Sequence, residues 1–254
     1  MKPSLKLGLA CAALVVVACG GGGDLLDRLD LADPAVRIVH ASHGGPTVTL
    51  LRNDRALNDA TDVNYKYESN YFDVPEQRDT RYLVRDVGAN RLIYTGTTDS
   101  QQGNKYSFVV LQTSTTTSGV YAINDPYNKD VTSERTRVRV VGGAFTKSSV
   151  DVYLNAAGTD INTVAPFIDA TAFMSSKPLS GDDSRRIEGG VYQLRVTTAG
   201  SKTDVLFAGT ISFGNNQDLL LIPVVNDTTP ARVKMLVVIE GASNRQISEL
   251  TDTP

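Results

Sequence analysis

The feature that most constrains this 254-residue chain is that it nearly repeats itself. The stretch "VRIVHASHGGPTVTLLRN", Val36 to Asn53, matches "VRVVGGAFTKSSVDVYLN", Val138 to Asn155, at a constant offset of 102. Each reads as a strand, a turn of small residues, a second strand and an asparagine. Further on, "YTGT" from Tyr94 falls on "FAGT" from Phe207 at an offset of 113. The same offset carries "KYSFVVL" (Lys105 to Leu111) onto "DLLLIPV" (Asp218 to Val224) and "VYAI" (Val120 to Ile123) onto "VKML" (Val233 to Leu236). The growth of 11 places a longer loop in the second copy, within Ile161 to Gly190. Blocks in the same order with one insertion indicate a duplicated folding unit.

Each unit reads as strands. "TVTLL", "TRYLVRDV", "NKYSFVVL", "TRVRVV", "SVDVYL", "VYQLRV" and "RVKMLVVI" are short and rich in Val, Tyr, Leu and Ile, and several alternate. In "TRVRVV", Val138 and Val140 point to one face and Arg137 and Arg139 to the other. Turn-formers lie between them: "HGGP", "VGAN", "DPYN", "TAGS", "GNNQ" and "NDTTP". Long amphipathic helices are absent from the pattern, and the best candidate, Asp160 to Met174, is interrupted by Pro166. Turns about every 8–12 residues over about 100 residues predict an antiparallel sandwich per copy. The expectation is an all-β chain with two tandem antiparallel β-sandwich domains, Ig-like or prealbumin-like, at residues 35–130 and 135–254.

An opening strand such as "VRIVHAS", a second such as "SVDVYLN", a Y-x-L-x-V strand and a Y/F-x-G-T turn resemble the bacterial domain-of-unknown-function family numbered 4397. The resemblance runs over nearly the whole chain after residue 34, in two copies. The first copy keeps "HAS" at His40 to Ser42, where the second has Gly142 to Ala144; the second keeps "VDVY" at Val150 to Tyr153, where the first has "TVTLL". What the resemblance implies is a small β-sandwich of exported proteins, often lipoproteins and often in tandem, with no reaction established for it.

The N-terminus reads differently. "MKPSLKLGLACAALVVVA" places two lysines before a nearly unbroken apolar run from Leu7 to Ala18, the pattern of a secretory signal over residues 1–18. A span needs roughly 20 apolar residues, and here Gly20 to Gly23 and Asp24 end the run. "VVAC", Val16 to Cys19, resembles the lipobox of bacterial lipoproteins. That resemblance implies a thioether-linked diacylglycerol on Cys19, cleavage after Ala18 and a new amino group open to acylation. Cys11 is the competing cysteine, with few apolar residues before it. Two acyl chains suffice for stable anchoring where one is marginal. Residues 19–34 then form a lipidated, flexible linker, and the 17 residues from Cys19 to Val36 reach roughly 23 Å as a coil. Gly20, where the Gram-negative sorting rule has Asp for inner-membrane retention, points to the outer membrane, with periplasmic and surface faces both open.

With Cys11 lost and Cys19 lipidated, neither cysteine is left to form a disulfide, so the core alone must hold the fold. The chain has no tryptophan, but ten tyrosines and seven phenylalanines supply bulk. The formal charge of −3, or −5 without Lys2 and Lys6, argues against nucleic acid as a charge-driven partner.

Few residues suggest chemistry. His40 and His43 are the only histidines, three apart in "HASHGG"; at a strand end they diverge, so a turn in which His40 hydrogen-bonds backbone is favoured over a metal site. Ser42 lies between them without the strand–elbow–helix context of a nucleophile. The acidic loops Asn53 to Asp62, Asn124 to Asp130 and Gly181 to Asp183 lack the spacing of a calcium loop and read as solvated turns. "TSTTTSG", Thr113 to Gly119, reads as a soluble hairpin tip. No catalytic, cofactor or metal residue is therefore assigned, and Cys19 is the one site residue, for lipidation.

These features lead to the expectation of a membrane-anchored, exported, non-enzymatic binding, structural or adhesive module of the cell envelope, with an envelope protein or glycan as partner. The alternatives are a glycan-acting enzyme using loop carboxylates such as Asp182 and Asp183, and an assembly factor for an outer-membrane complex.

Overall fold

The computed structural model describes residues 31–128, 134–240 and 245–253; the expected leader, Cys19 and the glycine run lie outside them. Nearly all of the regular structure among the described residues is strand. The first sandwich contains β1 (Ala35–His40), β2 (Val48–Arg52), β3 (Arg55–Ala56), β4 (Tyr67–Glu68), β5 (Phe72–Asp73), β6 (Gln77–Asp86), β7 (Arg91–Ser100), β8 (Lys105–Gln112) and β9 (Ser118–Asp125). The second contains β10 (Thr136–Val141), β11 (Ser149–Asn155), β12 (Ile168–Ala172), β13 (Ser176–Lys177), β14 (Arg185–Ile187), β15 (Gly190–Thr198), β16 (Val205–Phe213), β17 (Asp218–Val225), β18 (Val233–Ile239) and β19 (Ser248–Leu250). The weak helix candidate resolves into one short 3-10 turn, Ile161–Thr163, capped by Asp160, followed by β12.

Each sandwich has an inner and an outer sheet. In the first, β4-β1-β8-β9 with β5 beside β1 faces β3-β2-β6-β7. In the second, β13-β10-β17-β18-β19 with β14 beside β10 faces β12-β11-β15-β16. The opening strand lies parallel to the penultimate long strand in both. Ala35 pairs with Lys105 in the first, and Arg137 with Asp218 in the second, so the offsets of 102 and 113 reproduce one register. The last offset needs correction. Val110 pairs with Val120 but Pro223 pairs with Met235, so β9 corresponds to β18 at 115 and not 113. The β17–β18 hairpin is two residues longer, and a shift of two keeps every side chain on its face.

The sandwiches do not stand apart. Val39, Ala41, Val109, Leu111 and Ile123 of the first inner sheet pack against Val141, Leu220, Ile222, Val224, Leu236 and Val238 of the second. The result is four stacked sheets, with two inner ones apolar on both faces. Every residue of β1 and of β10 is buried. "TRVRVV" therefore alternates between two interiors: Val138 and Val140 enter the second sandwich, while Arg137 and Arg139 enter the layer between the sandwiches.

Two pieces of the second half hold the layer at its edges. Glu68 N donates to Arg245 O and Ile247 N to Lys66 O, each at 2.9 Å, which ties β4 to the segment before β19. On the opposite edge, Gly181 N donates to Asn124 O at 2.7 Å and Asn124 N to Ser180 Oγ at 2.9 Å. Ser180 and Gly181 belong to the longer loop within Ile161 to Gly190, so that loop of the second sandwich clasps the first.

Close approach also explains "GGA" after β10, where the first sandwich has "HAS" after β1. A Cβ on Gly142 would lie 2.0 Å from the Ala172 carbonyl oxygen, and one on Gly143 would lie 3.0 Å from both Leu111 and Ile222. Backbone cannot yield as a side-chain tip can. Gly142→Ala is expected to lower the unfolding free energy by about 1–3 kcal/mol, read by urea denaturation; unchanged stability would mean that the β12 segment moves aside freely.

Candidate functional site

The layer between the sandwiches is apolar along most of its length and charged at one end. That end lies at the starts of β1, β8, β10 and β17 and the ends of β9 and β18. Arg37, Lys105, Arg137 and Arg139 meet Glu68, Asp125, Asp218 and Glu240 there, four cations and four carboxylates. Both inner sheets contribute, because alternation puts every second residue of each strand on this face.

Arg37 Nη1 donates to Glu68 Oε2 at 3.0 Å and its Nε to Ser107 Oγ at 2.9 Å. Arg137 Nη2 donates to Asp125 Oδ1 at 2.6 Å, and Nη1 lies 3.3 Å from Asp218 Oδ1. Lys105 Nζ donates to Glu240 Oε1 at 2.9 Å across the layer. Two tyrosines are threaded between the cations. The Tyr127 ring centroid lies 3.5 Å from Lys105 Nζ and 4.3 Å from the Arg137 guanidinium carbon; that of Tyr71 lies 4.4 Å from the Arg37 guanidinium carbon. Tyr127 Oη donates to Asp218 Oδ2 at 2.7 Å. Desolvated cation–π contacts contribute up to about 2 kcal/mol each.

Arg139 is held by backbone. Its Nη1 donates to the carbonyls of Pro178 at 2.6 Å and Leu179 at 2.8 Å, and Nη2 donates to that of Asp182. The clasp loop thus supplies three acceptors. Asp125 Oδ2 lies 3.5 Å from Arg139 Nη2 and accepts from Ser184 Oγ at 2.8 Å. Asp125 Oδ1 also accepts the Tyr127 amide at 2.9 Å.

Burial opposes every charge in this layer, and the neighbours decide the balance. For Asp125, burial is outweighed by Arg137 and Arg139, and its carboxyl stays below the ordinary range. For Glu68, burial outweighs Arg37, and its carboxyl is raised. Arg37 and Arg137 stay protonated: burial opposes the charge, but Tyr71 and Glu68 around Arg37, and Asp125 and Asp218 around Arg137, raise both above the ordinary guanidinium value. A cavity of about 30 Å³ is lined by Arg37, Tyr71, Asp125, Tyr127, Arg137 and Asp218 among others. One water occupies about 10–15 Å³ by such a measure, so this space suits waters and not a sugar.

The residues singled out in the sequence lie elsewhere. His40 is buried, its Nε2 2.8 Å from Pro46 O, and burial lowers its pKa. His43 is exposed, 3.6 Å from Asp227, with its ring edge-on to Tyr65 at 5.2 Å. Ser42 Oγ pairs with Ser118 Oγ at 2.8 Å. Tyr65 lies beside both histidines and is pushed up to about 12 by burial, with Glu249 and Asp227 adding to it. Asp182 and Asp183 are exposed on the clasp loop, the first giving Arg139 its backbone oxygen and the second accepting from Asn128 Nδ2 at 3.4 Å. No group of three His, Cys, Asp or Glu among the described residues is placed to hold a metal. Thr113 to Thr117 form the β8–β9 hairpin tip.

"NDPYN" departs from its reading as a solvated turn. Half-buried Asp125 and buried Tyr127 are partners of Arg137, because the first sandwich presents this turn to the second. One signal in the sequence marks the charged end: "VRIV", "KYSF", "RVRV" and "DLLL" are apolar strands with a charge near their first residue.

The described geometry has a counterpart among known sequences. Residues 34–153 match DUF4397, a domain of unknown function. The match supports one copy of that domain, covering the first sandwich and running into β10 and β11. No curated protein matches the chain. No helix among the described residues is long and apolar enough to cross a membrane.

Asp125→Ala removes the nearest carboxylate of buried Arg137, leaving it the longer contact to Asp218, and the expected loss is about 3 kcal/mol, read by urea unfolding. Acid should act in two windows. His40 is lowered from 6.5, so the unfolded chain binds more protons, and stability falls as pH drops through 6.5 and below. Asp125 is lowered from 3.8, so its contribution is present above that value and lost as pH falls through its folded value. Glu68 is raised and acts in the opposite sense, stability rising as its carboxyl protonates. In Asp125→Asn the acid loss below about pH 4 should shrink while the His40 window persists; an unchanged low-pH limb contradicts the assignment.

Proposed function

We propose that the chain is an exported lipoprotein anchored through Cys19, and that its second half is a second copy of the DUF4397 domain. The two copies act together as one non-enzymatic binding or structural module of the cell envelope, held at the outer membrane. The leader and the lipobox-like "VVAC" support the anchor, and the shared register of β1–β8 and β10–β17 supports the second copy.

The observation that carries the module reading is the engagement of the charged layer with itself. Its arginines, carboxylates and tyrosines bond mainly to one another and to the clasp-loop carbonyls, around a space of water size. Such a layer fixes two sandwiches in one orientation, which suits a scaffold that displays edges and loops. The chain enters this body at Ala32, whose carbonyl accepts from Gly103 N at 3.0 Å, beside the charged end. An anchored chain would hold that end toward the bilayer and present the Thr113–Thr117 tip and His43 away from it.

Detergent-phase partitioning of the full-length protein tests the anchor. The wild type should enter the detergent phase and Cys19→Ser the aqueous phase. A wild-type protein found in the aqueous phase overturns the proposal.

A further inference from the structure

The two sandwiches also differ in the lateral gap between their last outer and last inner strands. In the second sandwich the gap between β16 and β18 is closed by the chain's own C-terminal segment. Ser248, Glu249 and Leu250 pair antiparallel with Val237, Leu236 and Met235. Leu250 packs on the second core. The segment then crosses to β16, where Thr253 N donates to Ala208 O at 2.7 Å and Asp252 Oδ1 accepts from Ala208 N at 3.1 Å. Arg232 holds Asp252 through two bonds of 2.6 Å. The crossing requires glycine: a Cβ on Gly209 would lie 2.8 Å from Thr251 O.

The first sandwich carries the same edge without the segment. At the offset of 115, Val120 and Ala122 of β9 stand where Met235 and Val237 receive the C-terminal strand. The orientation of their backbone groups follows from Asn124, whose N–H and C=O bond outward to Ser180 and Gly181. In an unbroken antiparallel ladder, residues two apart point the same way. Val120 and Ala122 therefore also turn their N–H and C=O groups outward, and no backbone partner meets them among the described residues. Gly96 of "YTGT" stands where Gly209 stands in "FAGT", and here the Tyr94 hydroxyl lies 2.1 Å from the place of a Cβ. Beside it opens a cleft of about 190 Å³ between β7 and β9, lined by Tyr82, Tyr94, Phe108 and Ala122, with Thr97 and Ser180 at its rim. A cavity of about 150 Å³ already accommodates benzene, so one aliphatic side chain fits.

We propose that the β7–β9 gap of the first sandwich accepts an extended peptide strand from another protein, one aliphatic side chain entering the aromatic cleft, as the C-terminal segment does on the second sandwich. The occupant's chemistry is read from the chain itself: an extended segment of the type Ser-Glu-Leu-Thr, with hydroxyl-bearing residues around the aliphatic one. Main-chain bonds to Val120 and Ala122 supply affinity, and the cleft supplies selection. This deepens the binding-module reading and rests on it, but it does not require the lipid anchor.

The test uses full-length protein and a labelled synthetic peptide with the sequence of residues 247–253, followed by fluorescence anisotropy and by hydrogen exchange. The expected result is saturable binding that slows exchange at Val120 and Ala122 by about tenfold or more. Ala122→Pro removes an outward N–H from an edge strand, where proline is tolerated; it should abolish binding while the circular dichroism spectrum and melting temperature stay close to wild type. Should that variant fail to fold, alanine in place of the peptide's leucine provides the same test, with a loss of about tenfold or more expected. Absence of saturable binding overturns the proposal, as does binding retained by both variants. Protection at Met235 and Val237 instead means that the peptide displaces the chain's own strand, and it overturns the assignment to the first sandwich. Protection of Val120 and Ala122 that rises with protein concentration alone makes a second copy the occupant and overturns the partner named here. Detergent partitioning is read separately, so failure of the anchor and failure of the acceptor are distinguishable.

Discussion

Two sheets packed face to face must neutralise whatever charge lies on the layer between them, and here that requirement organises the molecule. The Arg137–Asp125 pair is the centre of it. A lone buried ion pair recovers little of its desolvation. This pair is embedded in rings and further carboxylates that supply most of the remaining partners, while Arg137 Nε stays unpaired, and removing one partner is far costlier than the pair is favourable. The apolar part of the layer, from Val39 and Val141 to Leu111 and Ile222, provides attraction without direction. The charged end supplies register, because a carboxylate and a guanidinium meet in few geometries. The clasp loop and the β4 edge then fasten the two long sides.

The two sandwiches differ where they meet. Lys105 of the first corresponds to Asp218 of the second, and Ala35 corresponds to Arg137. At the first of these positions the charge changes sign, so Lys105 and Asp218 add one cation and one carboxylate to the same layer. The gaps diverge too: an added C-terminal strand closes one sandwich and leaves the other with an unpaired edge. An exposed edge is a liability that proteins usually blunt. A ten-residue β7 with three threonines and a glycine, facing an open β9, is the exception that makes an acceptor.

Much of the architecture was legible in the sequence. Period and composition located the strands, and the repeat located the insertion, because both depend on residues near one another in the chain. Stacking of the sandwiches was not legible. Lys105 and Glu240 are 135 residues apart, and no local pattern pairs them. "NDPYN" has the composition of a solvated turn, and its Tyr127 is buried and its Asp125 half-buried against the arginines of the second sandwich. The alternation in "TRVRVV" was legible, but the destination of its arginines was not, since an outward face and a face toward another sheet read alike until the neighbour is known. The hairpin offset failed by two because apolar residues fill β18 on both parities, and only hydrogen-bond register separates the alternatives.

The central claim is that the charged layer makes two sandwiches one cooperative body. Hydrogen exchange followed by mass spectrometry through a urea titration addresses it most directly, comparing β1 and β8 with β10 and β17. The account predicts that all four strands open together, at one urea concentration and with one opening free energy. Separate openings, with either sandwich surviving the unfolding of the other, would contradict it.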